Sequence, residues 1–341
     1  MANKILIVCT GGTMGGNVEN NVIDVCENAN YTLLDMYSKL DDKLEVDFDT
    51  IQPINILSED ATVEHWRKIS ASIKSIDITK YIGIIILYGT DTLGYAANAL
   101  SYLLYDIDIP IMMASSTYVL TDKKSNGLEN FKTAVKFIVE ENCKGVFVPF
   151  KNHNGEIYIH AGTRVKQIGQ LSNSIYSICD VWFAHVVNNK IARNPDYDIN
   201  NHKKYEYNFV ICDDVLYIKQ TVGMKYDFNL DKYKIVFIEV FHASTVSTAS
   251  LKLIKECKSM GILVFIGPIY KDRKVFYAPT RKAMDEWAIP ITNMSMEAIL
   301  AKLMIAGETF KTNEEIRDFM SKNIIGEVFW VIIYLENIVL P

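Results

Sequence analysis

The sequence predicts a two-domain α/β protein, with a mainly parallel, doubly wound sheet in a larger N-terminal domain and a smaller C-terminal α/β domain. Apolar runs of about four to eight residues, typical of strands buried on both faces, alternate along the chain with segments of helical periodicity. Such alternation is typical of parallel sheets flanked by helices. The length of 341 residues exceeds what one hydrophobic core usually supports, which favours two domains.

Six apolar runs are predicted as buried strands: Ile5–Cys9, Ile84–Leu87, Ile111–Ala114, Val146–Phe150, Ile235–Val240 and Leu263–Ile266. Five periodic segments are predicted as helices: Thr62–Ser75, Leu93–Tyr105, Leu128–Glu141, Thr248–Met260 and Arg281–Trp287. In the first of these helices Thr62 is the expected N-cap, with His65 at the third helical position. Its apolar residues share one face: Val63, Trp66, Ile69 and Ile73.

The alternation is interrupted between residues 188 and 233, where the sequence is polar and rich in turn-forming residues. We therefore expect an N-terminal domain over residues 1–190, a linker over 191–233 and a C-terminal domain over 234–341. The chain ends in the apolar stretch "VFWVIIYLENIVLP". Its apolar run is too short for a membrane anchor, so we expect a buried strand or a docking tail.

Composition and charge exclude several classes of function. The net charge is −6, and no Lys/Arg-rich stretch with interleaved aromatic residues suggests nucleic acid as a partner. No segment reaches the ~18 apolar residues of a membrane span, and the first apolar run is too short for a signal peptide. The scattered cysteines form no CxxC pair, which is typical of reduced, buried thiols in a cytoplasmic protein. The histidines show neither HExxH nor a Cys/His cluster, so we expect no metal and no cofactor.

Two predicted strands end on similar Gly-Thr turns, "TGGTMGG" at residues 10–16 and "YGTDT" at residues 88–92. Because the carboxyl ends of parallel strands meet at one edge of a sheet, we expect these turns to line one crevice. Neither turn matches a dinucleotide fingerprint or a Walker loop. Hydroxyl groups, one carboxylate and backbone N–H groups suit nucleophilic attack on an acyl carbon. The alternative is that both turns only connect strands to helices and cap them.

The two turns and their separation resemble the signatures of the bacterial-type L-asparaginase family, T-G-G-T-I-x-G and H-G-T-D-T, with a closer likeness to its cytosolic type I members. Further segments resemble the family in the same order along the chain: "INILSEDATVEHWRKI", "SNGLENFKTAV", "IHAGTRVKQIGQLSNSI", "FHASTVST" and "NMSMEAILAKL". The resemblance runs from about residue 4 to residue 327 and leaves out the final 14 residues.

The resemblance implies an amidohydrolase of asparagine catabolism that converts L-asparagine to L-aspartate and ammonia through a threonine acyl-enzyme. It also implies a homodimer or homotetramer whose site is completed at a subunit contact, and a cytoplasmic location.

By position in the motifs, Thr13 is the expected nucleophile. Thr90, Asp91 and Lys166 are expected to form a second triad, in which the lysine helps to move the Thr90 proton. Ser58 and Asp91 are expected to hold the charged α-groups of the amino acid. Further substrate contacts are expected from the following residues: Gly12, Glu59, Gly89 and Thr90.

The sequence departs from the family pattern at several positions. Tyr88 replaces the usual histidine, where we expect a shifted hydrogen bond, and Asn126 stands where aspartate is common. The family's flap tyrosine, which assists the nucleophile, corresponds by length to Ile23 and by local sequence to Tyr31, and we take Tyr31 as the candidate.

These departures leave two alternative functions open. One is an amino-acid-binding or regulatory homologue with weak or no turnover. The other is the amidase subunit of an archaeal-type tRNA-dependent amidotransferase. That subunit carries an extra N-terminal domain, and since the first predicted strand here begins at Ile5, the sequence favours the asparaginase.

Overall fold

A computed structural model describes residues 3–12, 14, 16–19, 22–25, 29–141, 143–197 and 206–329. Its strands, in chain order, are β1 (Lys4–Cys9), β2 (Gly16–Glu19), β3 (Val22–Val25), β4 (Asp47–Ile51), β5 (Gly83–Leu87), β6 (Pro110–Ala114), β7 (Gly145–Lys151), β8 (Ile157–Ala161), β9 (Ala184–Val187), β10 (Lys190–Arg193), β11 (Val215–Lys219), β12 (Ile235–Glu239), β13 (Leu263–Ile269) and β14 (Ile289–Thr292). Its α-helices are α1 (Ala29–Ser38), α2 (Val63–Lys74), α3 (Leu93–Leu103), α4 (Gly127–Glu140), α5 (Ser250–Met260), α6 (Ala278–Glu286), α7 (Met296–Thr309) and α8 (Asn313–Ser321).

Two sheets organise the chain. The larger has the order β10-β9-β8-β7-β6-β5-β1-β4 and is parallel from β7 to β4, whereas β7 to β10 pair antiparallel. The smaller sheet, β11-β12-β13-β14, is entirely parallel. Strands β2 and β3 form a separate antiparallel pair. The predicted α/β class, with a large mainly parallel sheet and a smaller second sheet, is confirmed.

The central strands are buried because helices cover both faces of the large sheet. In β1, alternate residues point to opposite sides, as the pleat requires. Leu6 and Val8 pack in the core that contains α2, α3 and α7, and Ile5 and Ile7 pack in the core of α1 and α4. The helix face predicted for α2 is the face that is buried. One apolar core therefore joins the large sheet to α7, which follows the second sheet in the chain.

The predicted start of α2 is confirmed. Thr62 caps the helix, and its backbone N–H donates to His65 Nδ1 at 3.1 Å, so that the two residues form a capping box. Helix α6 begins at Ala278, three residues before the predicted Arg281, with a proline in its first turn. Proline fits there because the first backbone N–H groups of a helix need no partner within it.

The segment 191–233 that is predicted to be a linker contains strand β11 of the smaller sheet. The domain boundaries themselves remain a prediction. Among the described cysteines, Cys179 is exposed, contrary to the expectation of buried thiols. The described part of the chain contains no helix that is both long and apolar enough to cross a membrane. The apolar tail from residue 330 onward lies outside the described residues.

Candidate active site

The carboxyl ends of β1 and β5 lie side by side, with Cys9 opposite Leu87 in the parallel register. Strand β1 pairs with β4 on one side and with β5 on the other, so the strand order reverses at β1. Ligands of open α/β sheets bind at such a reversal. The polar turn at residues 10–16 begins there, and Thr10 Oγ1 donates to the Leu87 carbonyl at 2.7 Å. The hydrogen bond of Thr10 therefore connects the carboxyl end of β1 to that of β5.

The two Gly-Thr turns touch through their glycines. Gly12 has a φ of +72°, which glycine adopts readily, and a Cβ at this position would lie 2.8 Å from Gly89 Cα. A Cβ at Gly89 would lie 2.4 Å from Ser58 Oγ. The Gly12 N–H also donates to the Ile56 carbonyl at 2.9 Å. The structure thus brings three predicted substrate contacts, Gly12, Ser58 and Gly89, to one place.

Ser58 is fixed between the turns. It is buried, its Oγ accepts from the Asp91 N–H at 3.1 Å, and its carbonyl accepts from Thr92 Oγ1 at 2.8 Å. Thr90 is half-buried, and the side chains of Asp91 and Glu59 are exposed beside it. Two exposed carboxylates, Glu59 next to Ser58 and Asp91 next to Thr90, therefore belong to these turns, and carboxylates are suited to pair with an ammonium group.

Tyr88 and Asn126, which depart from the family pattern, have structural contacts. Tyr88 is buried, its hydroxyl accepts from Trp66 Nε1 at 3.0 Å, and it lies 3.2 Å from Thr92 Oγ1. Burial raises the pKa of Tyr88. Asn126 precedes α4, and its Oδ1 accepts from the Thr117 N–H at 2.9 Å. Tyr88 therefore supports the 88–92 turn from the core side, whereas Asn126 holds the loop at Thr117.

The loop that carries Lys166 is bonded to the Thr90 turn. Gln167 Nε2 donates to the Thr90 carbonyl at 2.9 Å, and Gln167 Oε1 accepts from the Gly94 N–H at 2.9 Å. Lys166 precedes this bridge, and its side chain is exposed. The structure therefore brings Lys166 and Thr90 to the same edge of the sheet. Gln167 was not predicted from the sequence.

A second residue that was not predicted from the sequence is Glu297, at the start of α7. Its side chain is 5% exposed, and its Oε1 accepts from the Gln167 N–H at 2.8 Å. Burial raises the pKa of Glu297, although the Gln167 N–H and the charge of Lys166 oppose that shift. The segment "NMSMEAILAKL" indicated a family likeness, but nothing local in it marked this carboxylate.

The side chains of two predicted catalytic residues, Thr13 and Tyr31, lie outside the described part of the structure. Thr13 lies outside the described residues, between the buried Gly12 and the buried Met14. Tyr31 belongs to α1, and Ile23, its alternative, belongs to β3, but both side chains lie outside the described part. The predicted roles of Thr13 and Tyr31 therefore remain proposals.

In the described part of the chain, one group of potential metal ligands has converging atoms: Cys212, Asp214 and Glu308, within 4.8 Å of one another. Two of these three groups already have protein partners. Lys234 pairs with Asp214 at 3.1 Å, and Cys212 Sγ donates to the Met304 carbonyl at 3.3 Å. We assign no metal to this cluster.

Comparison with known proteins agrees with this geometry. The model of the asparaginase N-terminal domain matches residues 4–193. An L-asparaginase from Thermococcus kodakarensis is 26% identical over 344 aligned positions, which cover 95% of this chain and 99% of that protein. A glutamyl-tRNA(Gln) amidotransferase subunit from Pyrococcus abyssi is 27% identical over 95% of this chain and 76% of its own length.

Fold comparison shows a matching architecture. The solved structure of the thermostable L-asparaginase from Thermococcus kodakarensis superimposes with a TM-score of 0.78 at 24% identity, and covers 96% of this chain and all of that one. Because the family model matches more than half of the chain, the chain belongs to the asparaginase family.

Proposed function

We propose that the chain is an amidohydrolase that converts L-asparagine to L-aspartate and ammonia through an acyl-enzyme on Thr13. The contact between Gly12 and Gly89 carries this proposal, because it joins the turn that contains Thr13 to the turn that contains Thr90. The bridge from Gln167 to Thr90 adds the Lys166 loop to the same edge.

In this proposal the Thr13 hydroxyl oxygen attacks the side-chain amide carbon of the substrate. Its proton passes towards the Thr90 hydroxyl and Lys166, with Tyr31 assisting, while backbone N–H groups near Gly12 and Thr90 hold the oxyanion. The carbon–nitrogen bond then breaks, and the leaving nitrogen takes up a proton and departs as ammonia. Water attacks the resulting ester, which releases L-aspartate and restores the Thr13 hydroxyl.

Recognition of the amino acid is assigned to the turn residues Ser58, Glu59 and Asp91. The exposed carboxylates of Asp91 and Glu59 would pair with the substrate's α-ammonium group. The Ser58 hydroxyl, placed between Gly89 and the Asp91 N–H, would donate to the α-carboxylate. A site with two carboxylates for one ammonium favours an α-amino acid amide over a simple amide.

Ammonia release from L-asparagine, L-glutamine and D-asparagine tests the proposal. We expect the wild type to act fastest on L-asparagine, and Thr13→Ala to release no ammonia above background. Thr13→Ser is the matched control, because it keeps the hydroxyl nucleophile and should retain part of the activity. A silent wild type that still binds L-aspartate would instead support the amino-acid-binding homologue.

The similarity to an amidotransferase subunit favours a second candidate, an amidase that supplies ammonia to a partner enzyme. This function would predict hydrolysis of L-glutamine at a rate above that of L-asparagine. The same assay therefore separates the two candidates.

We also propose a homodimer or homotetramer in the cytoplasm. Light scattering at micromolar concentration tests the assembly, and a monomeric, fully active enzyme would contradict it.

A further inference from the structure

We propose that Glu297 is a positioning residue for this reaction, because its buried carboxylate holds the Lys166–Gln167 loop in place against the Thr90 turn. The catalytic meaning of this inference rests on the proposed function. The anchoring contact itself can be measured without any activity.

The contact is made from a distant part of the chain. Glu297 is the second residue of α7, and its Oε1 accepts the Gln167 N–H at 2.8 Å across 130 residues of sequence. Its Oε2 is buried and makes no hydrogen bond of normal geometry among the described residues, although the nearby Ser295 hydroxyl favours the carboxylate form. Native proteins rarely leave a buried carboxylate oxygen unpaired, and such groups cluster where they serve a function. The feature therefore calls for a role beyond packing.

A continuous path leads from Glu297 to the catalytic turn. Glu297 fixes the Gln167 backbone, and the Gln167 side chain in turn bonds Thr90 and Gly94. The loop is held on its other side as well, because the Lys166 N–H donates to the Tyr176 carbonyl at 2.9 Å. The backbone on either side of the Lys166 side chain is thus fixed. The position of the ammonium group relative to Thr90 depends on these bonds.

The charges around Glu297 suit this role. Lys166 is the nearby cation whose charge favours the carboxylate form, and Ser295 and the N-terminus of α7 act in the same direction. The charge of Glu297 also acts on two nearby tyrosines, Tyr95 on α3 and Tyr217 on β11.

A purely structural role would be served better by an apolar residue. The residues that follow Glu297 in α7, Ala298 and Ile299, are buried and apolar. A buried carboxylate at this point lowers stability unless it is paired. Retaining it is expected where the acceptor for Gln167 matters more than stability.

Two variants separate anchoring from packing. Glu297→Ala removes the acceptor, and Glu297→Gln keeps an oxygen that can accept the Gln167 N–H. Glu308→Gln, on the same helix, is the matched control. Hydrogen exchange at the Gln167 amide reports the anchor, and kcat and KM for L-asparagine report the reaction.

We expect Glu297→Ala to speed Gln167 exchange and to lower kcat by about tenfold to a hundredfold, since misplacement by ~1 Å has effects of this size. The KM should stay within about threefold, because binding of the α-groups is untouched. Glu297→Gln should restore both the protection and most of kcat, and Glu308→Gln should change neither.

Three results would overturn the inference. These are unchanged Gln167 exchange in Glu297→Ala, faster exchange with an unchanged kcat, or a failure of Glu297→Gln to restore what Glu297→Ala loses. If the wild type releases no ammonia from any amide, the proposed function fails. In that case hydrogen exchange at the Gln167 amide still tests whether Glu297 anchors the loop, because this measurement needs no activity.

Discussion

Gly12 lies so close to Gly89 that a Cβ on the first would stand 2.8 Å from the Cα of the second. This contact joins the two turns that were identified from sequence, and no other residue pair could replace it without moving the backbone. A catalytic account that needs Thr13 and Thr90 in one crevice depends on it.

The first prediction concerns Gly89→Ala. The new methyl group would stand 2.4 Å from Ser58 Oγ, so the 58–60 turn or the 88–92 turn must shift. Because displacement of ~1 Å can cost about a hundredfold in rate, we expect kcat/KM for L-asparagine to fall by about that factor. Gly169→Ala is the control, since nothing lies within 4 Å of a Cβ there. Equal activity of the two variants would contradict the geometry.

The second prediction concerns the side chain of Gln167. Gln167→Glu keeps an oxygen for the Gly94 N–H but loses the donor to the Thr90 carbonyl. We expect a lower kcat and a loss of about 1 kcal/mol in the free energy of unfolding, the usual size for one hydrogen bond. Steady-state kinetics and urea denaturation measure both. The exposed Gln170→Glu should leave both unchanged.

The third prediction concerns a buried ion pair that involves the middle of α7. Lys302 and Glu327 are fully buried, and Lys302 Nζ lies 2.6 Å from Glu327 Oε1. Lys302→Met leaves the Glu327 carboxylate uncompensated and should lower the free energy of unfolding by about 3–5 kcal/mol. Replacing both residues with apolar ones should recover much of that loss.

The matched control for this pair is on the surface. Lys258 and Glu286 form an exposed pair at 3.2 Å, and Lys258→Met should cost less than about 1 kcal/mol. A similar cost for Lys258→Met and Lys302→Met in guanidinium denaturation would contradict the prediction.

The fourth prediction concerns pH. Burial raises the pKa of Glu297, so the folded state holds this proton more tightly than the unfolded state. Ionisation therefore opposes folding, and its contribution to stability falls as pH rises from the unfolded value towards the folded one. Glu297→Gln should melt at a higher temperature than the wild type at pH 7. The gap should close on acidification to about pH 4, near the pKa of a free glutamate.

Thermal melts between pH 4 and pH 8 measure this difference. A gap that does not change with pH, or one that widens on acidification, would contradict the raised pKa. A more stable variant at pH 7 would also show that the wild type retains Glu297 at a cost in stability.

Much of the fold follows from local sequence. The runs Ile5–Cys9 and Ile84–Leu87 are continuous and β-branched because β1 and β5 are buried on both faces, and Thr62 and His65 are a local capping signal. Strands β9 and β10 gave no such signal. They lie at the antiparallel end of the sheet, are partly exposed, and carry mixed residues such as His185 and Arg193.

The residues of the candidate site also divide into those that local sequence predicts and those that it does not. Ser58, Thr90 and Lys166 were predicted because motifs carry them. Gln167 and Glu297 were not, because their importance arises from contacts between residues that are 73 to 130 positions apart. Such a contact leaves no periodicity, turn or cap in a single sequence.

Trapping of the acyl group by hydroxylamine tests the central claim most directly. If L-asparagine and a β-aspartyl ester acylate the same Thr13, both must yield aspartyl hydroxamate and aspartate in one common ratio. We expect that common ratio in the wild type and no hydroxamate in Thr13→Ala. Ammonia release without hydroxamate, or ratios that differ between the two acyl donors, would contradict an acyl-enzyme on Thr13.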